Sequence, residues 1–186
     1  MSILKVARMG HPVLRAKARS VERADFRSAV FQRFIDDLIE TMREYHGAGL
    51  AAPQVHESVR VFDAAIDDQT ESGAPGPGND DDRDPDPIVI VNPEITIVGG
   101  DVVEDWEGCL SIPDIRGRVP RAREITVRGM DRHGHRLELH AHDFPARVIQ
   151  HETDHLDGVL FVDRMRSFES LTFLDEYSRY WMKDKD

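Results

Sequence analysis

The chain has 186 residues, 40% of them hydrophobic, which is enough for one domain with its own core. Its net charge of −11, from 24 Lys and Arg against 35 Asp and Glu, argues against a broad phosphate-binding surface and so against direct nucleic-acid binding. No apolar run is long enough to span a bilayer, the amino end lacks the apolar block of a secretory signal, and a single cysteine excludes an intrachain disulfide, so a cytoplasmic protein is expected.

From Phe26 to His46, apolar residues at Val30, Phe31, Phe34, Ile35, Leu38, Ile39 and Met42 trace one helical face, and Gly47 is placed to stop it. Val59 to Ile66 reads as a strand. The stretch from about 67 to 87 is rich in Pro, Gly and Asp and cannot bury enough apolar surface to order itself; it reads as an exposed loop that supplies much of the negative charge. Short β-branched runs follow at 88–91, 95–98 and 124–128. Then come the turn "DRHGH" and the alternating strand "RLELHAH". Asp143 and Pro145 suit the start of a helix that runs to about Asp157, with Gly158 as its stop. A last amphipathic helix is predicted from about Ser167, using Phe168, Leu171, Leu174, Tyr177 and Trp181. This order predicts an α+β fold in a single domain over residues 1–186: antiparallel sheets around a central helix, with one helix before it and one after.

The central helix carries "QHETDH". His151 and His155 are four residues apart, one turn on the same helical face, so both imidazoles can approach one ion, with Glu152 beside it as a proton carrier for water. Two histidines do not complete a site, and nothing downstream is in register to help. Upstream, in "EDWEGCLSIPDI", Cys109 follows a glycine in a non-helical segment, and its thiolate would make the third ligand. In "GAGLAAPQV", small residues allow close backbone approach, and Gln54 offers a neutral amide donor suited to an oxyanion.

Taken in order, "GAGLAAPQ", "EGCLS" and "QHETDH" resemble the three motifs of the peptide deformylase family, and the resemblance extends from "ILKVARMGHPVLR" to "GVLFVDRM". The resemblance implies a hydrolase that removes the formyl group from the initiator methionine of nascent chains. It implies one divalent ion on Cys109, His151 and His155, usually Fe²⁺, with Zn²⁺, Ni²⁺ or Co²⁺ as substitutes. The expected partners are N-formylmethionyl nascent peptides, met in transient proximity to the ribosome. Glu152 is then the general base and acid, Gln54 and the Leu110 backbone N–H receive the oxyanion, and the Gly49 backbone pairs with the substrate main chain.

For the methionine side chain, Phe144 and Val148 precede His151 by seven and three residues and should flank it, alongside Ile112. Arg147, one turn before His151, points at the same mouth, either closing it with its stem or clamping a carbonyl. Arg116 resembles the family's arginine seven residues after the cysteine, with a substrate role and a structural ion pair both open. Asp154 either orients a ligand or pairs with an arginine. His133, His135, His140 and His142 read as solvated strand and turn positions. Two competing functions remain: a metallopeptidase of the His-Glu-x-x-His type, which usually takes a third His or Glu ligand, and a non-catalytic metal-binding protein, which would need neither Glu152 nor Gln54.

Overall fold

The computed structural model describes residues 2–66 and 87–182; apart from its last residue, the acidic loop predicted at about 67–87 lies outside them. Helix α1 (Ala29–Glu44) buries Ile35, Leu38 and Met42, whose spacing of three and four brings them to one face. Val30, predicted on that face, is exposed because it sits in the first turn, beyond the edge of the core. The helix ends at Tyr45, and the residue that takes the left-handed conformation is His46, at φ 52°, not Gly47. Gly47 is needed for another reason: a Cβ there would lie 3.1 Å from both the Gly49 carbonyl oxygen and the Leu110 side chain.

Among the described residues six strands form one antiparallel sheet: β1 (Gly49–Ala51), β2 (Val61–Ala64), β3 (Ile88–Cys109), β4 (Ile112–Met130), β5 (Arg136–His142) and β6 (Thr172–Phe173). They lie in the order β1-β2-β3-β4-β5, with β6 on a separate stretch of β4. The two short runs predicted at 88–91 and 95–98 are the beginning of one 22-residue strand. Only their β-branched parts carry a local signal; the polar remainder is held by pairing with β4, interrupted at three register shifts that let so long a ribbon bend. The turn at "DRHGH" forms as expected, with Gly134 at φ 83° and Asp131 Oδ1 accepting from the His133 and His135 amides. His133, His135, His140 and His142 are all exposed.

Helix α2 (Asp143–Leu156) lies across this sheet. Its Ala146, Val148, Ile149 and Leu156 join Phe62, Ile90, Ile125 and Val127 in the largest buried cluster. Each fully buried large side chain contributes about 2 kcal/mol of apolar transfer. The N-cap is His142, one residue before the expected Asp143, because Asp143 turns to φ 54° and its carboxylate binds Arg123. Gly158 stops the helix at φ 74°, where a Cβ would come within 2.6 Å of the Arg15 carbonyl oxygen. Two short helices follow, α3 (Phe161–Arg164) and α4 (Leu174–Tyr180). The last helix starts later than predicted, since Ser167 caps a separate 3-10 turn and Thr172 and Phe173 pair with β4. Tyr177 and Trp181 close on Trp106, with ring centroids 4.9 and 5.5 Å apart.

One buried group works against this fold. Asp63 on β2, opposite Leu50, is wholly buried, and neither carboxyl oxygen has a hydrogen-bond partner among the described residues. Burial, assisted by the charge of Glu152, pushes its carboxyl well above the ordinary range. The native state therefore holds a proton that the unfolded chain releases above about pH 4, so stability falls as pH rises from there towards the folded pKa, by at most about 1.4 kcal/mol per pH unit. Asp63→Asn removes this dependence. Thermal melts from pH 5 to pH 8 are expected to show a gap widening in the variant's favour; parallel curves would mean that Asp63 does not carry the proton.

Candidate metal centre

Residues from several elements converge on α2. The helix supplies His151 and His155, whose rings are 5.0 Å apart. Cys109, at the end of β3, places Sγ 3.2 Å from His155 Nε2. The thiol and the two imidazoles offer donor atoms all within 4.8 Å of one another. Burial raises the Cys109 thiol, but the neighbouring His155 and His151 overcome this and hold it well below its usual range. A thiolate with two imidazoles is a donor set that would fit one borderline divalent ion.

The His151 ring is set from behind. Glu107 Oε2 lies 2.9 Å from its Nδ1, leaving Nε2 to face Cys109. Burial lowers the His151 pKa, yet the bonds with Cys109 and Glu107 carry it well above the ordinary value. Glu107 itself is 6% exposed and accepts two further arginines: Arg121 in a bidentate pair at 2.9 and 3.0 Å, and Arg147 at 2.8 Å. Burial would raise this carboxyl, but His151 and Arg121 hold it far below the usual carboxylate range. Sequence reasoning missed Glu107, although a signal existed. It stands two residues before Cys109, and on a strand i and i+2 share a face.

Arg147 is on the cavity wall, but its charge turns away from the cavity. Its guanidinium donates to Glu107 and to the carbonyls of Val103, Asp105 and Val119, so the stem lines the cavity and the charge is spent inside the protein. Asp154 pairs with Arg121 and Arg164, the arginine alternative of the two readings. Arg116 lies over Gly108, where a Cβ would come 2.2 Å from Nη1, and donates to the Ile115 carbonyl.

On the cavity side, Glu152 is 4% exposed, with Oε2 lacking a hydrogen-bond partner among the described residues. Burial pushes its carboxyl up to about 7. Gly49 is the backbone it packs on: a Cβ there would be 2.8 Å from both Cγ and Oε1 of Glu152. Gln54, in the 3-10 turn Ala52–Val55 that follows β1, is oriented by the end of that strand, since its Oε1 accepts from the Ala51 amide at 2.8 Å. That fixes Nε2 towards Cys109 Sγ at 3.5 Å and Ser111 Oγ at 3.3 Å.

These groups open onto a cavity of about 830 Å³, lined among others by Gly49, Gln54, Cys109, Leu110, Arg116, Phe144, Arg147, Val148, His151 and Glu152. Ile112 is not on its wall. At 2% exposure it packs with Ala7, Leu14, Cys109 and Val119 behind the cysteine, because the tight turn after Cys109 carries it back into the core. No described helix is long and apolar enough to cross a membrane.

The family profile for polypeptide deformylase matches residues 3–170. Peptide deformylase 2 of a Nostoc species is 41% identical over 182 residues, covering 98% of this chain and 97% of that protein. A peptide deformylase of Dehalococcoides mccartyi is 38% identical over 171 residues, covering 92% and 91%. Among solved structures, the Met-Ala-Ser-bound class I type b peptide deformylase of Acinetobacter baumannii superposes with a TM-score of 0.78 at 38% identity, covering 89% of this chain and all of that one. The Thermotoga maritima enzyme gives 0.76 at 34% identity, covering 90% and 100%. With likeness over almost its whole length in both sequence and backbone, and with a thiol and two imidazoles gathered at one point, the chain belongs to the polypeptide deformylase family.

Proposed function

We propose that this protein is a metal-dependent hydrolase that removes the N-formyl group from the initiator methionine of newly made polypeptides, releasing formate, and that residues 1–186 act as one catalytic domain. The observation that carries the reading is the convergence of Cys109 with His151 and His155 beside an unpartnered Glu152 carboxyl oxygen. The ion held by these three side chains supplies, when bound, a Lewis acid that polarises the formyl carbonyl and acidifies water. Fe²⁺ is our choice for the native ion, with Zn²⁺, Ni²⁺ or Co²⁺ able to substitute.

The chain's own residues supply the rest. Glu152 takes a proton from the attacking water as its oxygen bonds the formyl carbon, then gives that proton to the methionine nitrogen as the C–N bond breaks. Gln54 Nε2 and the Leu110 backbone N–H receive the charge that develops on the carbonyl oxygen. Among the described residues strand β1 is at the end of the sheet, so its outer edge at Gly49 is available to the substrate main chain. The methionine side chain fits against Phe144, Val148 and the Arg147 stem. Arg116, at the mouth, is left to face the chain that follows. The substrates on this reading are nascent peptides met near the ribosome in the cytoplasm.

The test uses full-length protein purified without oxygen, measuring bound metal and formate released from formyl-Met-Ala-Ser, with Cys109→Ala beside the wild type. Metal near one equivalent and formate release are expected from the wild type, with both largely lost in Cys109→Ala. A variant that kept metal and cut peptide bonds would favour the metallopeptidase reading; metal without formate from the wild type would favour a binding protein.

A further inference from the structure

The charged groups deep in the cavity are paired with one another, since Glu107 is shared among Arg121, Arg147 and His151, and Arg121 also holds Asp154. The mouth is different. Lys5, Arg8 and Arg116 line it, with Asp114 as the exposed acid among them. Neither the Lys5 nor the Arg8 side chain has a hydrogen bond or ion pair with another described residue. Elsewhere, arginines of this acid-rich chain commonly hold an acid: Arg60 with Asp157, Arg128 with Glu138, Arg132 with Asp36.

The mouth cations are also held in place. The Ala7 amide donates to the Gln54 carbonyl at 2.7 Å and the Met9 amide to the Ser111 carbonyl at 2.8 Å, so the amino-terminal segment is laced to both sides of the site and Arg8 is presented between the two bonds. Arg116 is seated on the bare backbone of Gly108. A peptide whose first residue reaches Gly49 and Glu152 must leave where the lining changes from buried to exposed residues, which is this rim.

We infer that the rim recognises carboxylates, so that formyl-methionyl peptides with Asp or Glu in the positions just after methionine are favoured over those with Lys or Arg. The inference rests on the deformylase reading of the cavity and adds a substrate preference to it. The net charge of −11 predicts the opposite preference, because a uniformly acidic protein draws in basic peptides. The sign of the effect therefore separates a local rim from the overall field.

The experiment compares formate release from formyl-Met-Asp-Glu-Ala and formyl-Met-Lys-Arg-Ala by the metal-loaded full chain at low ionic strength. An acidic-over-basic ratio in kcat/KM of about three- to tenfold is expected, collapsing at high salt, as suits exposed ion pairs. The ratio should fall to one or below in Lys5→Gln/Arg8→Gln. It should persist in Arg23→Gln/Arg27→Gln, which removes the same charge from an exposed patch outside the cavity lining. Equal or basic-favouring turnover by the wild type, or a ratio unmoved by the rim variant, overturns the inference. If no peptide yields formate, the fluorescently labelled peptides are ranked by their Kd for the same proteins. Tighter acidic binding that depends on Lys5 and Arg8 then keeps the rim while the hydrolase reading falls, and equal Kd values remove the rim as well.

Discussion

Replacing Glu152 with glutamine is expected to cut formate release by about a thousandfold, with bound metal unchanged. Positioned proton transfer typically contributes 10²- to 10⁴-fold. Here one group is asked both to deprotonate water and to protonate the departing nitrogen, so the lower end of that range does not apply and its middle is expected. Glutamine keeps the shape that Gly49 accommodates, where the fit is tight enough that a Cβ would meet Glu152 at 2.8 Å. It cannot accept a proton at the operating pH. The ligands Cys109, His151 and His155 are untouched, so metal content measured alongside kcat separates chemistry from assembly. Loss of metal in step with turnover would instead assign Glu152 a structural role. Glu152→Asp pulls the carboxylate back from the reacting atoms by about one bond and should fall between the two, with kcat reduced more than KM changes.

Glu107→Ala is the largest stability change we expect. It removes the carboxylate that holds Arg121, Arg147 and the His151 ring, at a position 6% exposed, and leaves two buried guanidinium groups a carboxylate short, Arg121 with Asp154 alone and Arg147 with carbonyls alone. Breaking a buried pair in this way typically costs about 3–5 kcal/mol. For a chain of this length that corresponds to a fall in Tm of roughly 6–20 °C. A second effect runs through the metal. With Nδ1 no longer held, the His151 ring loses its fixed orientation, and metal affinity should drop by about 10- to 100-fold. The two are separable by melting wild type and variant with and without a chelator. A Tm loss present only when metal is available would mean that Glu107 acts solely through the ion, whereas the ion-pair network predicts a loss in both. Glu107→Gln, which keeps one acceptor for Arg121, should recover part of the stability and less of the affinity.

Much of the site was legible in the sequence because its signals are local. His151, Glu152 and His155 are set by helical spacing alone, and the helix that bears them is marked by its start and by Gly158. "EGCLS" and "GAGLAAPQ" carry their residue types within a few positions, and their order along the chain points to the family. The α+β class follows from the succession of helical and strand periodicities. The comparisons with known deformylases agree with the family and with the α+β class.

What the sequence by itself could not determine depends on groups brought together across strands. Nothing local joins 88–91 to Cys109 in one strand; pairing with β4 does, because its hydrogen bonds hold polar residues that have no strand preference of their own. Glu107 meets Arg121 only because β3 folds back on β4, and it meets Arg147 only because α2 crosses that hairpin. For Arg147 helical position left a closing stem and a carbonyl clamp both open, and burial bears on the choice: a charge 7% exposed must find acceptors, and the tertiary structure offers a carboxylate and three carbonyls. Ile112 was read as a cavity wall from its nearness to Cys109, yet the turn carries it to the opposite side. The residue types that do chemistry were thus written in short spacings, while which of them are buried, paired or left open to a ligand was decided by contacts between distant segments.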